Sequence, residues 1–241
     1  MQNKNFYDSL SSVYDDMIDF DSALKRRIDL LSNIIGDYKT AADFGCGTGI
    51  DSIALSKLGL HTDAFDQSED MITRAKLNAS NYKADVNFFS SPLECITSQN
   101  KYDLIVSLGN TLANLNKLQL KKTLDTCNGL LSEKGKIIIQ ILNFNLIKDN
   151  IHTINETESS KYIVKRYYER TGGSLLFKIR IIDKEDRIEN LIETPVFPHS
   201  GNLIAQLCND ANLGVDFFGG LDLRGFDIDK SGDLVCIAER K

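Results

Sequence analysis

The first residues that could do chemistry form the run Ala41-Ala42-Asp43-Phe44-Gly45-Cys46-Gly47-Thr48-Gly49. A short apolar strand carries an acid near its end and enters three glycines at alternate positions, after which a helical pattern begins. Glycines so spaced let the backbone turn sharply and approach a ligand more closely than any Cβ would allow. The helix start adds unpaired amides at the carboxyl edge of a sheet, where ligands of open α/β folds bind. A second strand-like run, His61-Thr62-Asp63-Ala64-Phe65-Asp66, also ends in a carboxylate, about twenty residues past the glycines, where an acid can accept both hydroxyls of a ribose. Glycines followed by an acid also describe dinucleotide-binding dehydrogenases, but the loop reads G-x-G-x-G and not G-x-G-x-x-G. A structural glycine turn without a ligand is the plainer alternative.

Other chemistry is sparse. The chain has only three histidines (His61, His152 and His199), and no Ser-His-Asp arrangement is legible. Five scattered cysteines contain no C-x-x-C pair, so they read as free thiols and not as a disulfide framework or zinc site. No metal is expected.

Alternating strand-like and helix-like segments must position these groups. Strands are predicted at about 40–44, 61–66, 85–89, 102–107 and 135–142, with helices at about 49–58, 68–80 and 117–131, the rhythm of a parallel sheet with crossover helices. Gly135 is predicted to mark the turn before the fifth strand. Before this core, Tyr7, Leu10, Val13/Tyr14, Met17 and Ile18, then Leu24, Ile28, Leu31 and Ile34/Ile35, follow helical spacing. After it, 160–170, 174–183 and 187–196 read as three antiparallel strands separated by Thr171-Gly172-Gly173 and by the turn 183–186. A helix at about 200–211 and strands near 214–218 and 233–239 complete the chain. The expected fold is a doubly wound, mostly parallel seven-stranded α/β sheet with a small inserted antiparallel sheet. The expected division is a helical lid over 1–36, a core over 37–150 and 198–241, and an inserted substrate cap over 151–197.

A length of 241 residues suits one such domain with an insertion, and 42% hydrophobic with 26% charged residues is the balance of an ordinary globule. No apolar run reaches the roughly 18 residues that cross a bilayer, and the N-terminus lacks the apolar stretch of a signal peptide, so a cytoplasmic location is expected. The net charge of −6, with only Lys161–Arg170 locally basic, argues against a nucleic-acid partner.

The run Asp43-Phe44-Gly45-Cys46-Gly47-Thr48-Gly49 resembles motif I of class I S-adenosylmethionine-dependent methyltransferases, and Asp66 resembles their ribose-binding acid. The segments 47–55 and Asp66-Gln67-Ser68-Glu69-Asp70-Met71 are similar to the glycine N-methyltransferase and glycine/sarcosine methyltransferase group. So are Leu108-Gly109-Asn110-Thr111, against that group's L-G-N-S, and Val196-Phe197-Pro198-His199, against its Y-Y-P-H. Three features depart from it, one being that the group's N-terminal arginine for the methionine carboxylate is missing in simple register. Leu142-Asn143-Phe144-Asn145 replaces an R-N-Y-D segment, so a carboxylate-binding arginine is leucine; and Ser91-Pro92 replaces an Asn-Trp pair beside the adenine.

The resemblance implies S-adenosylmethionine as cofactor, with Tyr14, Asp43, Gly45, Cys46, Gly47, Gly49, Asp66, Gln67, Met71, Ser91, Pro92, Leu93 and Leu108 around it. Lys25, Arg26 or Arg27 would meet its methionine carboxylate. Methyl transfer from a sulfonium needs alignment more than acid–base machinery, so no triad is expected. Asn110 and Tyr14 are the candidate catalytic residues, the Asn110 carbonyl being suited to accept an amine hydrogen. Asn110, Asn143, Arg166, Arg180 and His199 are the candidates for holding a small-molecule acceptor, most simply an amine of an amino acid, amino sugar or related metabolite. Packing or surface roles are open alternatives for Tyr14, His199 and the arginines, as a strand-end turn is for Asn110. A nucleic-acid or protein methyltransferase, and a cofactor-binding module without turnover, are the competing functions. The oligomeric state is not legible.

Overall fold

The computed structural model describes residues 2–10 and 14–241. Three helices open the chain: α1 (Gln2–Leu10), α2 (Tyr14–Ile18) and α3 (Phe20–Ser32). Val13 and the side chain of Met17, both part of the predicted helical stripe, lie outside the described residues. The two predicted stripes are separated before α3, where Asp19 adopts a left-handed backbone (φ 47°) and its carboxylate accepts the Ser22 amide.

The core then alternates β1 (Thr40–Phe44), α4 (Ile50–Lys57), β2 (His61–Asp66), α5 (Glu69–Asn81), β3 (Val86–Ser90), β4 (Tyr102–Ser107), α6 (Lys117–Leu130) and β5 (Leu131–Leu142). Four antiparallel strands follow: β6 (Ile151–Glu158), β7 (Tyr162–Thr171), β8 (Ser174–Asp183) and β9 (Glu189–Val196). Helix α7 (Gly201–Asp210) and strands β10 (Leu213–Phe218) and β11 (Asp233–Arg240) complete the chain. The main sheet has seven strands in the order β10-β11-β5-β4-β1-β2-β3, with β11 antiparallel to both neighbours and the β5-to-β3 run parallel.

Both faces of this sheet are covered, which is why its central strands are almost continuously apolar. Ile137, Ile139 and Ile141 point to one core with Leu124 and Leu207, while Ile138 joins Leu31, Ile53 and Leu55 in the other. Helix starts are fixed by side-chain caps. Ser68 accepts the Met71 amide at α5, Ser200 accepts Leu203 at α7, and Asn116 with Gln119 forms a reciprocal capping box at α6.

Two predictions need correction. The inserted sheet has four strands, because Ile151–Glu158 pairs with β7 although more than half of that strand is exposed and its sequence, IHTINETE, is largely polar. Gly135 sits inside β5, not before it, where the pairing with β4 shifts register; a Cβ there would come 2.8 Å from the Tyr102 carbonyl.

Candidate active site

Strand order reverses between β1 and β4, the point at which open α/β sheets leave a crevice. The glycine loop lies there. The amides of Gly45 and Cys46 both donate to the Phe65 carbonyl (2.7 and 3.0 Å), fastening the loop to β2. Gly45 has φ +88°, and a Cβ on it would lie 2.1 Å from Thr111 Cγ2. The Thr111 hydroxyl is itself engaged with the carbonyls of Leu108 and Gly45 (2.9 and 3.3 Å), so it cannot swing aside without loss. Gly49 (φ +96°) starts α4 against Ala75 of α5.

Asp66 closes one end of the crevice. Its Oδ2 accepts the Gly47 amide (3.0 Å) and its Oδ1 the Ser68 amide (2.9 Å). Burial raises its pKa, opposed by the amides of Ser68, Gly47 and Gln67. Tyr7, Tyr14, Gln67, Met71 and Leu93 share this cavity wall with Gly45, Gly47 and Asp66. Ser91 and Pro92 do not: the Ser91 hydroxyl turns to the Pro92 carbonyl (3.1 Å) and Pro92 is exposed.

The crevice continues past Cys46, Thr48 and Leu108 toward Arg27. Arg27 Nε pairs with Asp51 (2.8 Å), yet its Nη1 is buried without a partner, as is the hydroxyl of Thr48. Beneath them Asp43 accepts from the Ser52 hydroxyl (2.5 Å) while its other oxygen is buried and unpaired. Burial, with the nearby Asp51 charge adding to it, raises the Asp43 pKa to about 8.

A second cavity of about 200 Å³ adjoins the first, sharing Tyr7, Tyr14 and Gly109. The inserted sheet supplies Arg166, Tyr168, Phe177 and Ile179; the main sheet supplies Gln140, Leu142 and Asp233. Asn110 lines this cavity too. Its carbonyl accepts the Leu142 amide (3.0 Å) and its Nδ2 donates to the Tyr168 hydroxyl (3.1 Å), so Asn110 holds Tyr168 in place and keeps one carbonyl lone pair for an acceptor. Its left-handed backbone (φ 69°) makes the turn that permits both bonds. Arg166, held by Asn155 (2.7 Å), lines both cavities. The hydroxyls of Tyr7, Tyr14 and Tyr168 all have pKa values raised by burial and stay protonated; Tyr7 also accepts from Asn114 (3.0 Å).

Three expected acceptor contacts lie elsewhere. His199 is buried with Nε2 2.8 Å from the Leu115 carbonyl, and burial lowers its pKa; it is a packing residue stacked on Phe197. Asn143 is buried and donates to the carbonyls of Ile228 and Ser231 (2.8 and 2.9 Å), pinning the segment before β11. Arg180 alternates with Ile179 and Ile181, so it faces outward and pairs with Glu189 (3.2 Å). Among the cavity residues that escaped notice in the sequence are Gln140 and Asp233. A single polar residue within Ile137-Ile138-Ile139-Gln140-Ile141 was the available signal for the first; nothing local marked the second. Among the described residues, no group of three or more His, Cys, Asp or Glu is placed to hold a metal.

Residues 41–135 match a family described as a methyltransferase domain. The glycine loop and Asp66 thus lie within the matched methyltransferase domain. The chain is 27% identical over 195 residues, 78% of each chain, to the carboxy-S-adenosyl-L-methionine synthase of Nautilia profundicola. Its fold is similar to that of an S-adenosylmethionine-dependent methyltransferase from Clostridium acetobutylicum (TM-score 0.82, 16% identity, 97% of this chain and 98% of the other). It is also similar to the amino pentose methyltransferase CalS10 of Micromonospora echinaspora with S-adenosylmethionine bound (TM-score 0.74, 14% identity, 95% and 97%). No helix of the described residues is long and apolar enough to cross a membrane.

Proposed function

We propose that the chain is an S-adenosylmethionine-dependent methyltransferase acting on the amine of a small molecule, an amino sugar, amino acid or related metabolite, held in the cavity beneath the inserted sheet. The observation that carries the reading is the shape of that cavity. It meets the crevice at Tyr14 and Gly109, is walled by β7, β8 and α1, and at about 200 Å³ suits a metabolite better than a polymer. The likeness to CalS10, which is named for an amino pentose, supports an amine acceptor. The net charge of −6 weighs against nucleic acid. No feature of the acceptor cavity favours glycine in particular, because Leu142 occupies the position of the expected carboxylate-binding arginine.

In this reading residues 1–36 form the lid, 37–150 and 198–241 the cofactor-binding core, and 151–197 the acceptor cap. Asp66 takes the ribose hydroxyls, and Gln67, Met71 and Leu93 surround the adenosine. The unpartnered Arg27 Nη1 and Thr48 hydroxyl fit a carboxylate, so they hold the methionine end, with Gly45, Cys46, Gly47, Gly49 and Leu108 shaping the channel and Asp43 fixing the loop from below through Ser52. When bound, the cofactor supplies an electrophilic methyl on a sulfonium. The protein's part is to align the acceptor and exclude water. Tyr14, shared by all parts of the crevice, and the Asn110–Tyr168 pair shape the junction where the acceptor nitrogen sits. The five free cysteines suit a reducing, cytoplasmic setting.

The test is incubation with methyl-labelled S-adenosylmethionine and a cell extract separated into small molecules, RNA and protein. Label is expected in the small-molecule fraction; label confined to RNA or protein would overturn the reading.

A further inference from the structure

The acceptor cavity contains one acid among its lining residues, Asp233 at the start of β11. Gln140 Nε2 donates to Asp233 Oδ2 (3.0 Å), and Gln140 Oε1 in turn takes the Gly109 amide at the long distance of 3.4 Å. This relay runs from the Gly109–Asn110 turn across β5 to β11, where Asp233 is in register with Leu142 and Val235 with Gln140. It fixes one carboxylate oxygen by a neutral donor and leaves the other free of any described partner. Asp233 and Gln140 also line an outer groove of about 450 Å³ between α3 and residues 220–224, so the carboxylate stands where that groove meets the acceptor cavity.

An amine reaches the site largely as its ammonium and must shed a proton before its lone pair can attack. The other polar groups of the cavity serve this poorly. Tyr7, Tyr14 and Tyr168 are protonated phenols, Arg166 is a cation, and the amides of Asn110, Asn114 and Gln140 are too weakly basic to take up a proton. We infer that Asp233, oriented by Gln140, is the group that binds the acceptor's ammonium and receives its proton, an assignment that rests on the amine reading above. The exchange is balanced: the ammonium gives one proton to the free Asp233 oxygen, becoming a neutral amine with its lone pair exposed, while the carboxylate becomes a carboxylic acid. That acid returns the proton to water in the outer groove, restoring the charge for the next acceptor. A positioned base of this kind contributes about 10²–10⁴-fold in rate.

The test compares wild type, Asp233→Asn and Asp233→Glu. Each is incubated with S-adenosylhomocysteine and the small-molecule fraction of a cell extract, filtered by size, and the retained amines are counted with an amine-reactive dye. Parallel samples receive methyl-labelled S-adenosylmethionine, and cofactor affinity is measured by calorimetry. The expected result for Asp233→Asn is unchanged cofactor affinity, loss of retained amines and transfer slowed by about 100-fold or more, with Asp233→Glu recovering part of both. Asp233→Asn that retains and methylates amines like wild type, or Asp233→Glu that is more impaired than Asp233→Asn, would overturn the assignment. An extract whose amines have been blocked by acetylation separates the two claims: label still entering it with wild type would mean that the amine reading itself has failed.

Discussion

The two cavities are built on opposite plans. Around the cofactor crevice the contacts come from backbone: the amides of Gly45, Cys46, Gly47 and Ser68 set the loop and Asp66, and the strands below, Ala41–Phe44 and Ala64–Phe65, are buried. Around the acceptor cavity side-chain to side-chain contacts join separate segments. Asn110 reaches Tyr168, Arg166 reaches Asn155, and Gln140 reaches Asp233, while the outer strands leave Ile151, Ile154 and Leu191 exposed. A backbone-built site tolerates little change at its few glycines and acids and much elsewhere. A side-chain-built site can be respecified by substitution while the sheet beneath it persists.

The sharpest way to break this contrast is at the loop. Gly45→Val places a branched side chain at φ +88° against Thr111 and is expected to cost about 2–4 kcal/mol of stability and abolish cofactor binding, as read by urea unfolding and calorimetry. A variant that folds and binds normally would show that the loop is not set by its backbone.

Asp43 offers a second test, through pH. Its pKa is raised by burial from 3.8 to about 8, so the folded state holds a proton that the unfolded chain has already released. Without cofactor, the stability of wild type relative to Asp43→Asn should therefore be greatest in acid, fall as pH climbs from about 4 to about 8, and level off above that. Urea midpoints at successive pH values read it directly; a difference that rises with pH would contradict the burial of an unpaired acid.

On the acceptor side effects should be smaller and confined to transfer. Tyr168→Phe removes one hydrogen bond to Asn110 and is expected to slow methylation by the equivalent of about 0.5–1.5 kcal/mol. Its cofactor affinity should match wild type in calorimetry. Arg180→Ala, which breaks only the exposed pair with Glu189, should change stability by less than about 0.5 kcal/mol and leave the transfer rate alone.

The same contrast explains what was legible in the sequence. The glycine loop, Asp66 and the parallel strands announce themselves within a few residues, through spacing and apolar runs, and their positions in the fold follow the predicted ones closely. Strand β6 was missed because an edge strand with one half-covered face carries too few apolar residues to alternate visibly. Asn143 turns away from the site, and for His199 the packing alternative holds, because proximity to a site in sequence does not say which way a side chain turns: both face backbone carbonyls of the packed interior. Asp233 lies 93 positions from Gln140, and only the antiparallel register of β11 on β5 brings them together.

The most direct test of the central claim is the affinity for S-adenosylmethionine of Asp66→Ala beside wild type, measured by calorimetry. Loss of the charged hydrogen bonds to ribose predicts binding weaker by about 1–3 kcal/mol with the fold intact. Equal affinity for the two proteins would contradict the placement of the cofactor across the glycine loop and the end of β2.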